Sequence, residues 1–411
     1  MNIKMNNQFQ PLTGKDISRI LGLTIKRDEA NKLITFLSLL SAYSDDSEIN
    51  ISFNAPYSTG KSFIPLEVAS LFPQEDVIEV AYCSPTAFFH SNGEFNKEKG
   101  GYIVDLSRKI IIFLDQPHTQ LLQHLRPFLS HDKKEIGLKI TDKSQKFGLR
   151  TKNIYLIGYP SVVFSSAGLN FDEQETTRFI LLSPEITEEK MREAVISKIK
   201  KGADLSAYLA ELDANEERKE LKERIKSIKE RHVTEIKIAN PQMVEQTFFQ
   251  KIGRLKPRHS RDVARLVSLV KAFALLNLWF REWDGESLIA NDQDVEEAFN
   301  VWDLIAESQE LNLPPYVYNL YKDIIIKAFI EKNKLRVNKL PIGVSRQEIM
   351  AKHSERYSRF LPDWQLRQQI IPQLETAGLI IQIPDVIDRR KMLIVPTTVQ
   401  NYSEISGGVT I

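Results

Sequence analysis

The stretch Asn54-Ala55-Pro56-Tyr57-Ser58-Thr59-Gly60-Lys61-Ser62 follows the apolar run Ile51–Phe53 and precedes the helix-like segment Phe63–Leu71. Strand, loop and helix in that order are the setting of a phosphate-binding loop of the form G-x-x-x-x-G-K-[ST]. In such a loop the backbone N–H groups, here those around Ser58 and Thr59, curl about a phosphate, and Gly60 permits the close approach. Lys61 reaches the terminal phosphates and the Ser62 hydroxyl ligates Mg2+, so the expected cofactors are ATP and Mg2+. One position departs from the motif: Ala55 stands where its first glycine belongs. The competing reading is a Gly-Lys-Ser turn without a ligand.

A second run bears on that choice. Lys109-Ile-Ile-Ile-Phe-Leu-Asp115 reads as a buried strand that delivers a carboxylate at its C-terminal end, where Asp115 would hold a Mg2+-bound water. The next residue is Gln116, whose amide orients water but does not take its proton, which leaves the hydrolysis base open. His118 is a candidate for that base, and capping a helix is its competing role.

The chain around these runs has 411 residues, enough for two or three domains at roughly 100–200 residues each. With 42% hydrophobic and 27% charged residues it reads as globular, neither disordered nor collagen-like. Cys83 is the single cysteine and the 7 histidines lack zinc-site spacing, so an internal disulfide is excluded and a reducing, cytoplasmic setting is expected. The N-terminus lacks a signal-peptide core and no run approaches the ~18 apolar residues of a spanning helix, so no membrane partner is expected.

Hydrophobic patterning divides the chain into an N-terminal helical segment (1–48), an α/β core (49–186), an all-helical lid (187–312), a C-terminal domain (313–396) and a tail (397–411). The charged helix Glu216–Arg231 reads as a solvated face supported by opposite charges. Net charge is +1, yet residues 313–396 hold 14 Lys+Arg against 8 Asp+Glu, a net of +6. Residues 1–312 then carry −4 and the tail −1, so neutrality overall conceals a basic C-terminal module.

Within that module Tyr316–Lys332, Ser345–Ser354 and Pro362–Ala377 read as helices, the second with Ser345 and Glu348 in a capping-box pattern. Pro372 should kink or shorten the third, and Gly378 ends it. The strands Leu379–Ile383 and Met392–Val395 follow, giving three helices and a hairpin, the winged-helix order. As a DNA-binding module it would use Arg367 and Gln368 in the groove and Arg389, Arg390 and Lys391 on phosphates; protein docking is its alternative role.

Taken together, Ala55–Ser62, Lys109–Asp115, Arg178-Phe179 and Arg261–Ala272 make the chain resemble the AAA+ superfamily, over roughly residues 30–395. Within it the chain is similar to the minichromosome-maintenance helicases and related mobile-element helicases, which implies a P-loop core, a helical lid and a winged helix. The resemblance makes Ser166, or Ser165 beside it, the sensor 1 residue, and Arg178 an arginine finger reaching a neighbouring subunit's γ-phosphate. An ion pair with Glu173 or Glu175 is the competing role of Arg178. Arg261, or Arg265 in another register, becomes the sensor 2 residue. The hairpin Glu135–Ile157 becomes a pore hairpin touching DNA through Lys143 and Lys146, and the insertion around Phe88–Gly101 a second pore loop. In such helicases Glu follows the Walker B Asp, and Gln116 departs from that pattern.

The implied function is an ATP-driven DNA translocase or helicase, a homo-oligomeric ring hexamer serving a plasmid, phage or mobile element. The alternatives are a replication initiator or helicase loader using ATP as an assembly switch, and a non-enzymatic DNA-binding adaptor.

Overall fold

In the computed structural model, residues 9–45, 49–81, 93–131, 133–142, 150–166, 178–256, 258–334 and 342–399 are described. Two helices, α1 (Gly14–Leu21) and α2 (Glu29–Ser41), lead into β1 (Ile51–Asn54), and α3 (Phe63–Ala69) follows the loop. Next come β2 (Val77–Val80), β3 (Glu94–Asn96), β4 (Gly101–Asp105), β5 (Ile110–Phe113), α4 (Thr119–Leu129), β6 (Glu135–Asp142), β7 (Arg150–Ile157), β8 (Ser161–Ser166) and β9 (Ile180–Leu182). The main sheet has five strands in the order β2-β5-β8-β1-β9, all parallel. β1, β5 and β8 are buried along their whole length, as the near-continuous apolar runs of a parallel sheet covered on both faces require.

The described parts of the two insertions, 93–101 and 135–142 with 150–157, lie in one structure, and residues 88–92 of the first are outside the described residues. β3, β4, β7 and β6 form a second sheet in that order, in which β4 and β7 run parallel. β4 feeds β5 and β7 feeds β8, so the small sheet continues the parallel ladder beyond the N-terminal ends of those strands. The junction is tight: Gly158 has φ +87°, and a Cβ there would fall 2.1 Å from Ser107 Oγ.

After β9 come α5 (Glu188–Ala203), α6 (Leu205–Ala214), α7 (Glu216–Arg231), β10 (Glu235–Ile238), α8 (Pro241–Lys251), α9 (His259–Leu276), β11 (Glu282–Asp284), β12 (Ser287–Ala290) and α10 (Asp292–Asp303). The expectation of an all-helical segment over 187–312 is therefore corrected: β10, β12 and β11 make a three-stranded sheet. The alternation Glu235-Ile-Lys-Ile238 and the turn at Gly285, φ +63°, are the local causes. The N-terminal helices are not a separate segment either, since Ile17, Leu37, Leu269 and Phe273 share one core with Ile51 and Ile180 of the main sheet. That core is continuous across position 187. A second core, with Ile111, Leu125, Leu156 and Phe164, fills the other face between α4 and the small sheet.

The solvated reading of Glu216–Arg231 also needs amendment. Leu221, Ile225 and Ile228 are buried as spaced, but so is Arg224. Its guanidinium donates to the carbonyls of Leu276 (3.0 Å) and Gln10 and lies 4.9 Å from the Phe9 ring centroid and 5.5 Å from that of Trp279.

The C-terminal unit has its own core, which includes Leu320, Ile325, Ile349, Leu366, Leu374 and Ile394. A first helix runs through Pro315–Leu320, a π-turn Tyr321–Ile326 and Lys327–Asn333; a second spans Arg346–Tyr357, with Ser345 and Glu348 in a capping box. The third runs from Asp363 through a π-turn Leu366–Ile370 into Ile371–Thr376. Pro372 has no N–H to donate and its ring crowds the preceding turn, so the wider π-turn accommodates it where an α-turn would clash. Gly378, φ +71°, ends the helix, and the Leu379 N–H bonds back to Leu374 O at 2.9 Å. The strands β13 (Val344–Ser345), β14 (Ile380–Pro384) and β15 (Met392–Pro396) form an antiparallel sheet ordered β13-β15-β14. Among the described residues, no helix is long and apolar enough to cross a membrane.

A buried fork holds α10 to the sheet before it: Arg281 Nε and Nη2 each donate to one oxygen of Asp294 at 2.7 Å. Asp294 also closes the capping box of α10 with Asn291. Replacing Asp294 by Ala strands a buried guanidinium and removes the cap. The expected loss is about 3–5 kcal/mol, read as a lower denaturant midpoint in circular dichroism.

Candidate functional site

The parallel sheet sends the C-terminal ends of β1, β5 and β8 to one edge, the position where open α/β sheets leave a crevice. β1 delivers the loop 55–62, which turns at Ser58 (φ +61°) and Gly60 (φ +97°). Left-handed residues set between right-handed ones rotate successive amides toward one side, an arrangement that attracts anions. Gly60 is needed for its backbone, since an added Cβ would meet open space yet sit at a φ that side chains avoid. Thr59 Oγ1 donates to Pro56 O at 2.9 Å and braces the turn.

Lys61 is buried, and its ammonium donates to the carbonyls of Ala55 (2.7 Å) and Pro56 (3.3 Å) and lies 5.1 Å from the centroid of the exposed Tyr57 ring. Burial pulls its pKa down to about 8, against the nearby Asp115 carboxylate, which favours the charged form. Ser62 Oγ donates to Leu114 O at 3.3 Å, so the hydroxyl reaches the end of β5 one residue before Asp115. Asp115 and Gln116 are exposed at that edge, and Asp115 Oδ1 accepts the Gln116 N–H at 2.8 Å. Ser166, buried at the end of β8, donates its hydroxyl to Gln116 Oε1 at 2.9 Å. The structure thus brings together Ala55, Ser58, Thr59, Gly60, Lys61, Ser62, Asp115, Gln116 and Ser166. His118 caps α4, its Nδ1 accepting the Gln120 N–H at 3.2 Å.

Other expected residues lie elsewhere. Arg178 precedes β9, and because Ile180 pairs with Ile51 it sits at the opposite edge of the sheet from the loop, its Nε donating to Ser130 Oγ at 2.6 Å. Its competing partners Glu173 and Glu175 are outside the described residues. Arg261 is exposed on the first turn of α9, whereas Arg265 is buried against Asp262 at 3.3 Å; neither lines the cleft beside the loop. Arg367, Arg389, Arg390 and Lys391 are exposed, the last three on the β14–β15 connection. Lys143 and Lys146 lie outside the described residues, although β6 and β7 pair as the antiparallel flanks of their hairpin.

Two contributors carried no signal in the sequence. Asn54, at the base of the loop, has its Oδ1 bonded to Ser52 Oγ at 2.9 Å while its buried Nδ2 lacks a partner. Arg359, some three hundred residues away, donates from Nη1 to Tyr57 O at 2.5 Å. Between loop and C-terminal unit opens a cleft of about 450 Å³, lined among others by Ile25, Gly60, Phe63, Ile186 and Arg359.

These residues fit a nucleoside triphosphate. The ammonium, the turned loop and the orphaned amide suit phosphate, and the apolar part of the cleft suits a base. No described cluster of three His, Cys, Asp or Glu residues is suited to a metal. Mg2+ would instead be held by Ser62 and Asp115 together with phosphates, its usual mode.

The fold is a parallel α/β core with a P-loop-like site at its C-terminal edge. No family model matches the chain, and no curated protein matches it. Among solved structures it is similar to a full-length MCM homolog from Methanopyrus kandleri, at 16% identity and a TM-score of 0.43. The match covers 71% of this chain and 59% of that one, so it spans less than two thirds of that protein's length.

Removing the Asp115 charge takes away the interaction that favours protonated Lys61. With reductively methylated protein, the NMR resonance of Lys61 is expected to titrate near 8 in the wild type and at lower pH in Asp115→Asn.

Proposed function

We propose that the chain is an ATP-dependent DNA translocase or helicase of the AAA+ class, acting as a homo-oligomeric ring in replication of a plasmid, phage or mobile element.

 The ring assembly in this reading is a hexamer. What supports it is the convergence of Lys61, Ser62, Asp115, Gln116 and Ser166 on one edge of a parallel sheet, with Arg178 at the opposite edge, out of reach of its own loop. An arginine so placed acts on a neighbour's nucleotide or not at all, and arginine fingers supplied in trans stabilise the charge that develops in phosphoryl transfer.

In this reading Lys61 gives up its loop carbonyls to contact terminal phosphates. Ser62 and Asp115 hold Mg2+, which offsets charge on the phosphates when bound. Gln116, fixed by Ser166, orients the attacking water. Sensing by Arg261 and contact of Lys143 and Lys146 with single-stranded DNA belong to the same proposal. So does a winged-helix role for the C-terminal unit, supported by its three helices, its sheet order β13-β15-β14 and the exposed Arg389, Arg390 and Lys391.

Gln116 favours a second reading, an initiator or helicase loader in which ATP is an assembly switch, because no carboxylate follows Asp115 to take the proton. Steady-state ATPase assays with and without single-stranded DNA decide between them. The motor requires DNA-stimulated turnover that Lys61→Ala abolishes; ATP-dependent DNA binding without turnover selects the switch. Gln116→Glu supplies a base and is expected to raise turnover about a hundredfold.

Phosphates favour charged Lys61, which in the free protein loses its proton near pH 8. ATP affinity measured by calorimetry should therefore fall as pH rises past that value, and Lys61→Arg, which stays charged, should flatten the profile. For the C-terminal unit, the triple change of Arg389, Arg390 and Lys391 to Ala should lower the slope of log affinity for duplex DNA against log salt by about 2–3.

A further inference from the structure

We propose that Arg359 is a phosphate-binding residue of the nucleotide site in its own chain, so that the C-terminal unit takes a direct part in holding a nucleoside triphosphate. The inference rests on the reading of residues 55–62 as a nucleotide loop.

Arg359 follows the helix Arg346–Tyr357, where Ser358 at φ +49° reverses the chain and turns it toward the core. Its Nη1 donates to Tyr57 O at 2.5 Å, and its side chain lines the same cleft as Ser58 and Gly60. One bond to a carbonyl leaves most of a guanidinium's five N–H donors available, in the fork geometry that matches phosphate. No carboxylate pairs with Arg359 among the described residues. Two cations, Lys61 and Arg359, therefore approach one short loop, and the Arg359 charge is one of the influences that disfavour protonated Lys61. Like charges held together without an anion cost free energy, which a bound polyanion reverses.

The placement of Arg359 is built from behind. His353 is buried, which disfavours its charged form, and the neutral ring satisfies two partners: Nδ1–H donates to Arg359 O at 3.0 Å and Nε2 accepts the Tyr316 hydroxyl at 2.9 Å. The Tyr316 N–H donates to Ser183 Oγ at 3.0 Å, and that hydroxyl donates to Asn54 O at 2.6 Å. The C-terminal unit thus reaches the loop at two carbonyls, Tyr57 directly and Asn54 by way of Ser183. The circuit Asn54–Ser183–Tyr316–His353–Arg359–Tyr57 fixes the guanidinium against the cleft.

The test is the affinity of the full chain for ATP with Mg2+, measured by calorimetry on wild type, Lys61→Ala, Arg359→Ala and Arg359→Gln, with thermal melting of each in the absence of nucleotide. Gln keeps a donor for Tyr57 O but has no charge. The expected result is a loss of about tenfold or more in affinity for both Arg359 variants, with melting temperatures of the free chains close to wild type. Wild-type affinity in Arg359→Gln overturns the proposal and reduces Arg359 to a latch on Tyr57. Lowered melting in Arg359→Ala does not obscure the outcome, because Arg359→Gln preserves the latch. If wild type binds no ATP, the nucleotide reading fails and this proposal with it; if Lys61→Ala loses binding and both Arg359 variants keep it, only this proposal fails.

Discussion

The parallel register that sets Asn54 beside Ser166, and Phe113 beside Phe164, is the constraint from which the site follows. A slip of one residue would turn every side chain of a strand to the other face, removing Ser166 from Gln116. Apolar burial alone does not choose the register, because β1, β5 and β8 are covered on both faces. Buried polar contacts do. Asn50 Oδ1 accepts the Val162 N–H at 3.0 Å, and Ser38 Oγ donates to Ile49 O at 2.9 Å while meeting Ser161 Oγ at 3.1 Å. At the sheet edge, the Gln309 amide accepts from the Leu181 N–H at 3.1 Å and donates to Leu181 O at 2.8 Å, satisfying part of the buried ladder that β9 offers to no further strand.

The same economy of polar contacts recurs away from the sheet. Arg224 is enclosed among carbonyls and two aromatic rings, and Arg281 forks onto Asp294. Such groups are poor sources of net stability because desolvation offsets attraction, but each admits only one geometry of the elements it joins. α7, α9 and α10 are positioned by contacts of this kind as well as by the leucines between them.

What could be seen in the sequence was local. The strands β1 and β5 of the main sheet announce themselves as short apolar runs, and the loop 54–62 as strand, turn and helix. The capping box at Ser345 and the stop at Gly378 need only neighbouring residues. The strands β10, β11 and β12 leave little trace in the sequence, because four residues of alternation, Glu235–Ile238, weigh little between long helical patterns. The burial of Arg224 depends on Phe9 and Trp279, which no helical period reveals. The union of both insertions in one sheet, and the approach of Arg359 to Tyr57, are contacts between residues far apart in the chain, and a single sequence holds no record of them.

The continuation of β4 into β5 and of β7 into β8 gives the molecule the geometry of a lever. Each pair is jointed at a left-handed residue, Arg108 (φ +59°) between β4 and β5 and Gly158 (φ +87°) between β7 and β8, with Asp115 or Ser166 beyond one strand and the small sheet at the other end. At about 3.3 Å per residue β7 alone is roughly 26 Å long, so a tilt of about 5° passed across its joint sweeps the hairpin end through about 2 Å. The stiffness of that joint, where Ser107 presses on Gly158, sets how much of the sweep arrives.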